Sequence, residues 1–305
     1  MPKLDGSYAP ARLVLFLLQI MWMSNSRFFA SLTLALLSFS QTACTSLPVA
    51  SQAKPNPAHN DSMRTECPGA VPAYASLTAV ASLAQLQQSA ERALAQQGLR
   101  VLWQLQSPHA SAQAFTDQLS DRQRLSRLLD AILPALARYP RVFFQHMQVR
   151  DVVIVKDLQV DGQFRLAMPA PETDSLVYAD NGHSQLCLAG MEMRTHHEFY
   201  HVIEHRLFKD FYFHDPDWLA LNPAATVYGQ GGATAYGKQF ENLGHPAMGL
   251  VSRYAAYGPE EDKAEVFGWM MTPEYAQRLK QWAQQDTALA AKLKWMQDLL
   301  QKYSQ

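Results

Sequence analysis

His196-His197-Glu198-Phe199-Tyr200-His201-Val202-Ile203-Glu204-His205 is the stretch on which the fold and chemistry of this 305-residue chain turn. Residues 197–201 read HExxH. On a helix, residues four apart lie one turn above each other, so His197 and His201 present two imidazoles to one point in space. Glu198 lies beside that point, where it can take a proton from a water held there. Phe199, Val202 and Ile203 are apolar, as a helix buried against a core requires. The spacing predicts a helix from Gly190 to about Phe208.

A second grammar overlaps the first. His201 to His205 reads HxxEH, the inverted motif, and the two readings share His201 in different roles. A third ligand has to decide between them. The metzincin continuation fails, because Glu204 stands where a Gly is needed and Leu207 where the third His would be. Asp210 could ligate, with nothing around it to support that choice.

The better candidate lies downstream. Pro259 is a favoured opening residue for a helix, and Glu261 and Glu265 then fall one turn apart on one face. That spacing suits a carboxylate ligand at Glu261 and a carboxylate at Glu265 that orients a ligating imidazole through its other ring nitrogen. Taken alone, a Glu-rich helix start is equally an ordinary solvated surface. Between the two helices run Pro216, Asn222-Pro223 and Gly229 to Gly232, a loop-rich region that is either a lid or a connection.

Upstream, Val152-Val153-Ile154-Val155 is a β-branched run, Asp161-Gly162 a hairpin-type turn, and Phe164-Arg165-Leu166 extended again; Leu176-Val177-Tyr178 adds a strand. Leu77 to Leu99 has helical composition and stops at Gly98. Ala110 to Ala137 reads as one or two helices bent at Pro134. From Pro259 helices run to the end, broken at Thr272-Pro273. The expected fold is α+β, mostly helical, with a small sheet beside the HExxH helix.

The first 44 residues differ. Ala11 to Met23 and Phe28 to Phe39 are apolar, yet neither run reaches the roughly 18–20 residues of a membrane-spanning helix. The second, ending Gln41-Thr42-Ala43-Cys44, reads as an export signal; Cys44 resembles the lipid-modified cysteine of a bacterial lipoprotein, with Gln41 where an aliphatic residue is usual, and the alternative is an ordinary signal peptide cut just after Ala43. Residues 45–72 are rich in Ser, Pro, Ala and Asn and read as a tether. Residues 73–305 then form one domain: a helical part to 138, a catalytic core over 139–272, and C-terminal helices over 273–305. If Cys44 carries lipid, Cys67 and Cys187 remain, either paired in an oxidising compartment or as separate buried thiols.

Net charge is −1, with 48% hydrophobic and 17% charged residues. That is a globular composition without the basic excess that nucleic-acid binding by counterion release requires. The expected membrane contact is through the N-terminal lipid only.

From about Tyr139 to Met271 the chain resembles bacterial zinc metallopeptidases of gluzincin type, similar in pattern to the anthrax lethal factor catalytic domain. The resemblance rests on His197 to His201, on Trp218-Leu219-Ala220-Leu221-Asn222-Pro223 with Tyr228, and on Ser252-Arg253-Tyr254 leading to Glu261-Asp262-Lys263-Ala264-Glu265. It implies a zincin-like fold and one zinc ion held by His197, His201 and Glu261. It further implies Glu198 as general base, Glu265 as a supporting carboxylate and Tyr254 as the hydroxyl that stabilises an oxyanion. Lys263 departs from the apolar residue common at its position, and Glu204-His205 adds charge near the site. His196 and His205 are expected to be structural or surface residues, His183, His214 and His245 to have no site role, and Trp218 and Tyr228 to pack in the core or support the site rather than to bind substrate.

The resulting expectation is an exported zinc peptidase, periplasmic or anchored to the outer membrane, acting on peptides or proteins. Two others compete: a scaffold lipoprotein with a structural zinc, for which Cys187 is a possible ligand, and a zinc hydrolase of a cell-wall amide. Substrate specificity and oligomeric state have no signature in the sequence.

Overall fold

The all-apolar run at residues 152–155 marks the centre of the main sheet. In the computed structural model every residue of β4 (Asp151–Val155) is buried, because parallel strands covered on both faces read as continuous apolar runs. The structure describes residues 63–65, 81–181, 188–211, 215–235, 240–242 and 244–304. Cys44, Cys67, Cys187, His183 and His214 lie outside the described residues, as do 1–44 and all of the 45–72 tether but 63–65.

β1 (Met63–Thr65) pairs in parallel with β9 (Phe240–Asn242). β2 (Arg100–Leu102) and β8 (Ser175–Ala179) flank β4 in parallel, and β7 (Ala167–Ala170) closes the edge antiparallel, giving the order β2-β4-β8-β7. A second sheet joins β3 (Ala110–Gln113), β5 (Asp157–Val160) and β6 (Gln163–Phe164), all antiparallel. Val153, Val155, Leu158, Ala170, Val177 and Ala179 form a core cluster spanning the two sheets. β10 (Gly244–Ala247) and β11 (Leu250–Ser252) make a small antiparallel pair.

The chain leaves the main sheet at Lys156, and the expected hairpin turn at Asp161-Gly162 joins β5 to β6. Both turn residues have positive φ, 49° and 78°, as a two-residue hairpin turn demands. One expectation needs correction: residues 110–113 are not helical. Their Ala/Ser/Gln composition tolerates a helix, but they pair antiparallel along β5 as an edge strand, and context overrides propensity.

The helices follow their local signals. α1 (Leu83–Gln96) opens on Ser82 in a reciprocal capping box with Gln85, and Gly98 takes a left-handed φ of 78° just past its end. α2 (Leu119–Leu136) contains Pro134. α3 (Arg141–His146) is short. α4 (Leu188–Phe208) carries the HExxH stretch and packs against α2, β7 and the helix at residues 259–271. The Tyr178 hydroxyl donates to the Thr195 carbonyl at 3.0 Å, tying sheet to helix. α5 (Pro216–Leu219) is capped by Asp215. α6 (Pro259–Met271) is buried at every position although it contains Glu260, Glu261, Asp262, Lys263 and Glu265. Burying five ionisable side chains is costly unless each finds partners, so this helix is where the fold invests in chemistry. α7 (Pro273–Ala283) and α8 (Thr287–Tyr303) complete the chain. Among the described residues no helix is long and apolar enough to cross a membrane.

Candidate metal centre

α4 and α6 bring the predicted ligands together. The Nε2 atoms of His197 and His201 lie 3.2 Å apart. Glu261 Oε2 is 3.1 Å from the first and 3.5 Å from the second. Donors bonded tetrahedrally to a zinc ion at about 2.0–2.1 Å stand about 3.4 Å from each other, so these separations match a shared cation. All three side chains are buried. Among the described residues this is the one group of three or more His, Cys, Asp or Glu with converging ligand atoms.

The donor chemistry agrees. His197 Nδ1 lies 3.0 Å from Glu265 Oε1, so the carboxylate holds the Nδ1 proton and leaves the Nε2 lone pair aimed at the cluster. Glu261 Oε2 is buried against the two imidazoles. Lone pairs that converge in a buried space repel unless positive charge lies between them. Burial disfavours the His197 imidazolium, yet Glu261 and Glu265 overcome this and push its pKa up to about 10. Burial likewise works against the Glu261 carboxylate, but His201 and His197 hold its pKa well below the usual carboxylate range. The cluster requires a cation, either a proton or a metal ion in its place.

Glu198 follows His197 on α4, half-buried, and its charge acts on His201. Tyr254 begins the 3-10 turn Tyr254–Tyr257 just before α6, with its ring centroid 5.8 Å from that of His197. Gly232 shows how tightly the site is closed. A Cβ there would collide with Glu261 Oε1 and lie 2.5 Å from the Tyr254 hydroxyl, so the carboxylate and the phenol crowd one small volume above its Cα. The Gly229–Gly232 segment is held as well: Gly229 N–H donates to the Ala256 carbonyl at 2.9 Å and Gly231 N–H to that of Tyr257 at 2.7 Å. These two bonds tie the segment to the residues just before α6. Replacing Gly232 by Ala is expected to weaken metal binding about 10- to 100-fold, the equivalent of the 1–3 kcal/mol that overpacking typically costs. Competition with a chromophoric chelator measures it, and an unchanged affinity would mean that the segment yields freely.

The Trp218 and Tyr228 motif supports the site from behind. Asp262, fully buried next to Glu261, accepts hydrogen bonds from Trp218 Nε1 at 2.9 Å, the Tyr228 hydroxyl at 2.5 Å and Lys292 Nζ at 2.5 Å. Asn222 Nδ2 donates to the Tyr228 hydroxyl, and Lys292 also reaches the Gly249 carbonyl. These bonds lock the first turn of α6, so Trp218 and Tyr228 act by holding Asp262, as packing residues rather than ligands.

The remaining candidates separate. His196 is fully buried, its Nδ1 2.6 Å from the Tyr139 hydroxyl, and burial pushes its pKa down to about 4. It is a structural imidazole. The inverted motif does not assemble: His205 packs at a tilt against Phe211 with centroids 4.6 Å apart, and Glu204 forms a fully buried ion pair with Lys263. Asp210 and His245 join no ligand cluster; His245 pairs with Asp286 at 3.0 Å. Sequence reasoning missed Gly232, Lys292 and the Glu204–Lys263 pair. The only signal for that pair was that both members looked out of place in an apolar helix.

No family model matches the chain, and no curated protein does. Among solved structures, the chain is similar to one described as a putative zinc-binding metallo-peptidase from Bacteroides caccae ATCC 43185. Identity is 15% over 72% of this chain and 87% of that one, with a TM-score of 0.40. A likeness so distant carries no argument, and the function has to be read from this chain's own site.

Proposed function

We propose that the chain is a zinc-dependent metallopeptidase of gluzincin type, with His197, His201 and Glu261 as the metal ligands. The observation that carries this reading is the convergence of two Nε2 atoms and one buried carboxylate oxygen within 3.1–3.5 Å of one another. Two imidazoles and a carboxylate are the donor set of catalytic zinc, whereas structural zinc takes four protein ligands. Zinc in such a site is a Lewis acid that activates water and polarises a carbonyl.

The chain's own residues supply the rest. Glu198, fixed on the rigid α4 beside the ligands, accepts the proton of the attacking water and returns it to the leaving amine. The Tyr254 hydroxyl, on the side of the cluster facing Gly232, donates to the oxyanion that forms on the carbonyl, an interaction of about 3 kcal/mol in comparable sites. Glu265 keeps His197 in the tautomer whose Nε2 is free to ligate. The signal at residues 1–44 supports action outside the cytoplasm, in the periplasm or at the outer membrane, with Cys44 as lipid anchor and peptides or proteins as substrates.

The test is metal content. The protein from Thr45 onward is expected to hold close to one zinc per chain by elemental analysis, and Glu261→Ala to lose most of it. A variant that keeps its zinc would place the third ligand elsewhere, and a parent that binds none after reconstitution would end the metallopeptidase reading.

A further inference from the structure

Glu260 is the one carboxylate of α6 that the site leaves unused. It is 3% exposed. Its neighbours Glu261, Asp262 and Glu265 contact His197, Lys292 and His197 respectively. Glu260 accepts the Gly232 N–H, while its Oε1 is buried with no hydrogen-bond partner. The charges that act on it are those of Glu261 and His201. The carboxylate lies so close against Gly258 that any Cβ there would strike both its oxygens.

Glu260 also lines an open cleft of about 320 Å³, walled by Leu219, Tyr228, Gly229, Gln230, Gly231, Gly258 and Pro259. That volume is at the low end of ligand pockets and suits a side chain or a chain terminus. The position is as informative as the size. Gly231 and Glu260 line the cleft, and their neighbours Gly232 and Glu261 close the metal cluster. A buried carboxylate oxygen without a partner is costly in the free protein and becomes favourable when a cationic donor reaches it.

We infer that this cleft is a substrate subsite for a cationic nitrogen, in which Glu260 pairs with a primary ammonium of the peptide being cleaved. The inference rests on the peptidase reading and adds a substrate class to it. Two sources share the chemistry, a free amino terminus and a lysine side chain. Leu219 and Tyr228 provide the apolar and aromatic wall along which a lysine stem would lie.

The test is equilibrium binding of three matched peptides with N-methylated, uncleavable amide bonds to the zinc-loaded protein. One has a free amino terminus, one is acetylated with an internal lysine, and one is acetylated with norleucine in its place. At least one ammonium peptide is expected to bind about 10- to 100-fold more tightly than the norleucine peptide, the range of a charge-assisted hydrogen bond. Which one it is identifies the source. Glu260→Gln keeps an acceptor for the Gly232 N–H and is expected to erase the preference while leaving norleucine binding unchanged. Equal loss on all three peptides would show that Glu260 only holds Gly232 in place, and that outcome overturns the proposal, as does a preference that is absent or survives the substitution. Hydrolysis of cleavable counterparts is scored in parallel: turnover without a charge preference refutes the subsite alone, and a charge preference without turnover leaves a cation-binding cleft but refutes the peptidase reading and with it the subsite's role toward a substrate.

Discussion

Glu198→Gln is expected to retain the parental zinc content and to lose about 10²- to 10⁴-fold in kcat/KM on any peptide the parent cleaves, the span that a positioned general base contributes. The glutamine has the same shape, so α4 keeps its packing, and the three proposed ligands stay on their own side chains. What disappears is the ability to hold a proton between the attacking water and the leaving amine. Glu198 is suited to that task because it is half-buried where its neighbours His197 and His201 are buried. Its charge also acts on His201, so a modest fall in metal affinity is compatible with the mechanism. Zinc content and turnover on a fluorogenic peptide mixture, measured on the same preparation, separate the two effects. Turnover at the parental rate would place the base elsewhere and remove the reason for reading α4 as a catalytic helix.

The parts of this site that could be read in the sequence are those fixed by local geometry. HExxH spacing is a statement about a single helix, and so is the Glu261–Glu265 pair; each needs only 3.6 residues per turn to become a face. That the two faces meet at 3.1–3.5 Å was not visible, because it depends on how α4 and α6 pack. The sheet shows the same division. The buried run of β4 was legible from its composition, whereas β3 was misread as helix because its strand state comes from pairing with β5, distant in sequence. Gly232 is the sharpest case. In the sequence it is one glycine in a flexible-looking loop, and only the closeness of Glu261 and Tyr254 shows that a side chain is excluded there.

The residues that departed from the expected motif show what such long-range pairing can hide. Lys263 on α6 and Glu204 on α4 each look wrong for a buried helix face, and each is fully buried. They are wrong only singly. The structure joins them in an ion pair, with Lys263 Nζ also 5.9 Å from the Phe208 ring. Burial raises the Glu204 pKa, and Lys263 opposes that rise, leaving it at about 7. The pair bridges the two helices that carry the proposed ligands, with Glu204 three residues beyond His201 and Lys263 two beyond Glu261.

Removing one partner of a buried pair leaves an uncompensated charge, whereas replacing both by apolar groups of similar size is often neutral or stabilising. Lys263→Met is therefore expected to destabilise the protein by about 3–5 kcal/mol, which at roughly 2–4 °C per kcal/mol for a domain of this size lowers Tm by roughly 6–20 °C. The Glu204→Leu, Lys263→Met double variant is expected to recover most of that loss. Urea unfolding of all four proteins, metal-free and zinc-loaded, closes the cycle. If the double variant is as unstable as the two single losses added together, the side chains act independently and the pair does not couple the helices. Recovery would show that the motif tolerates charge at these two positions only when both carry it, and that a change at either has to be judged with its partner across the helix interface.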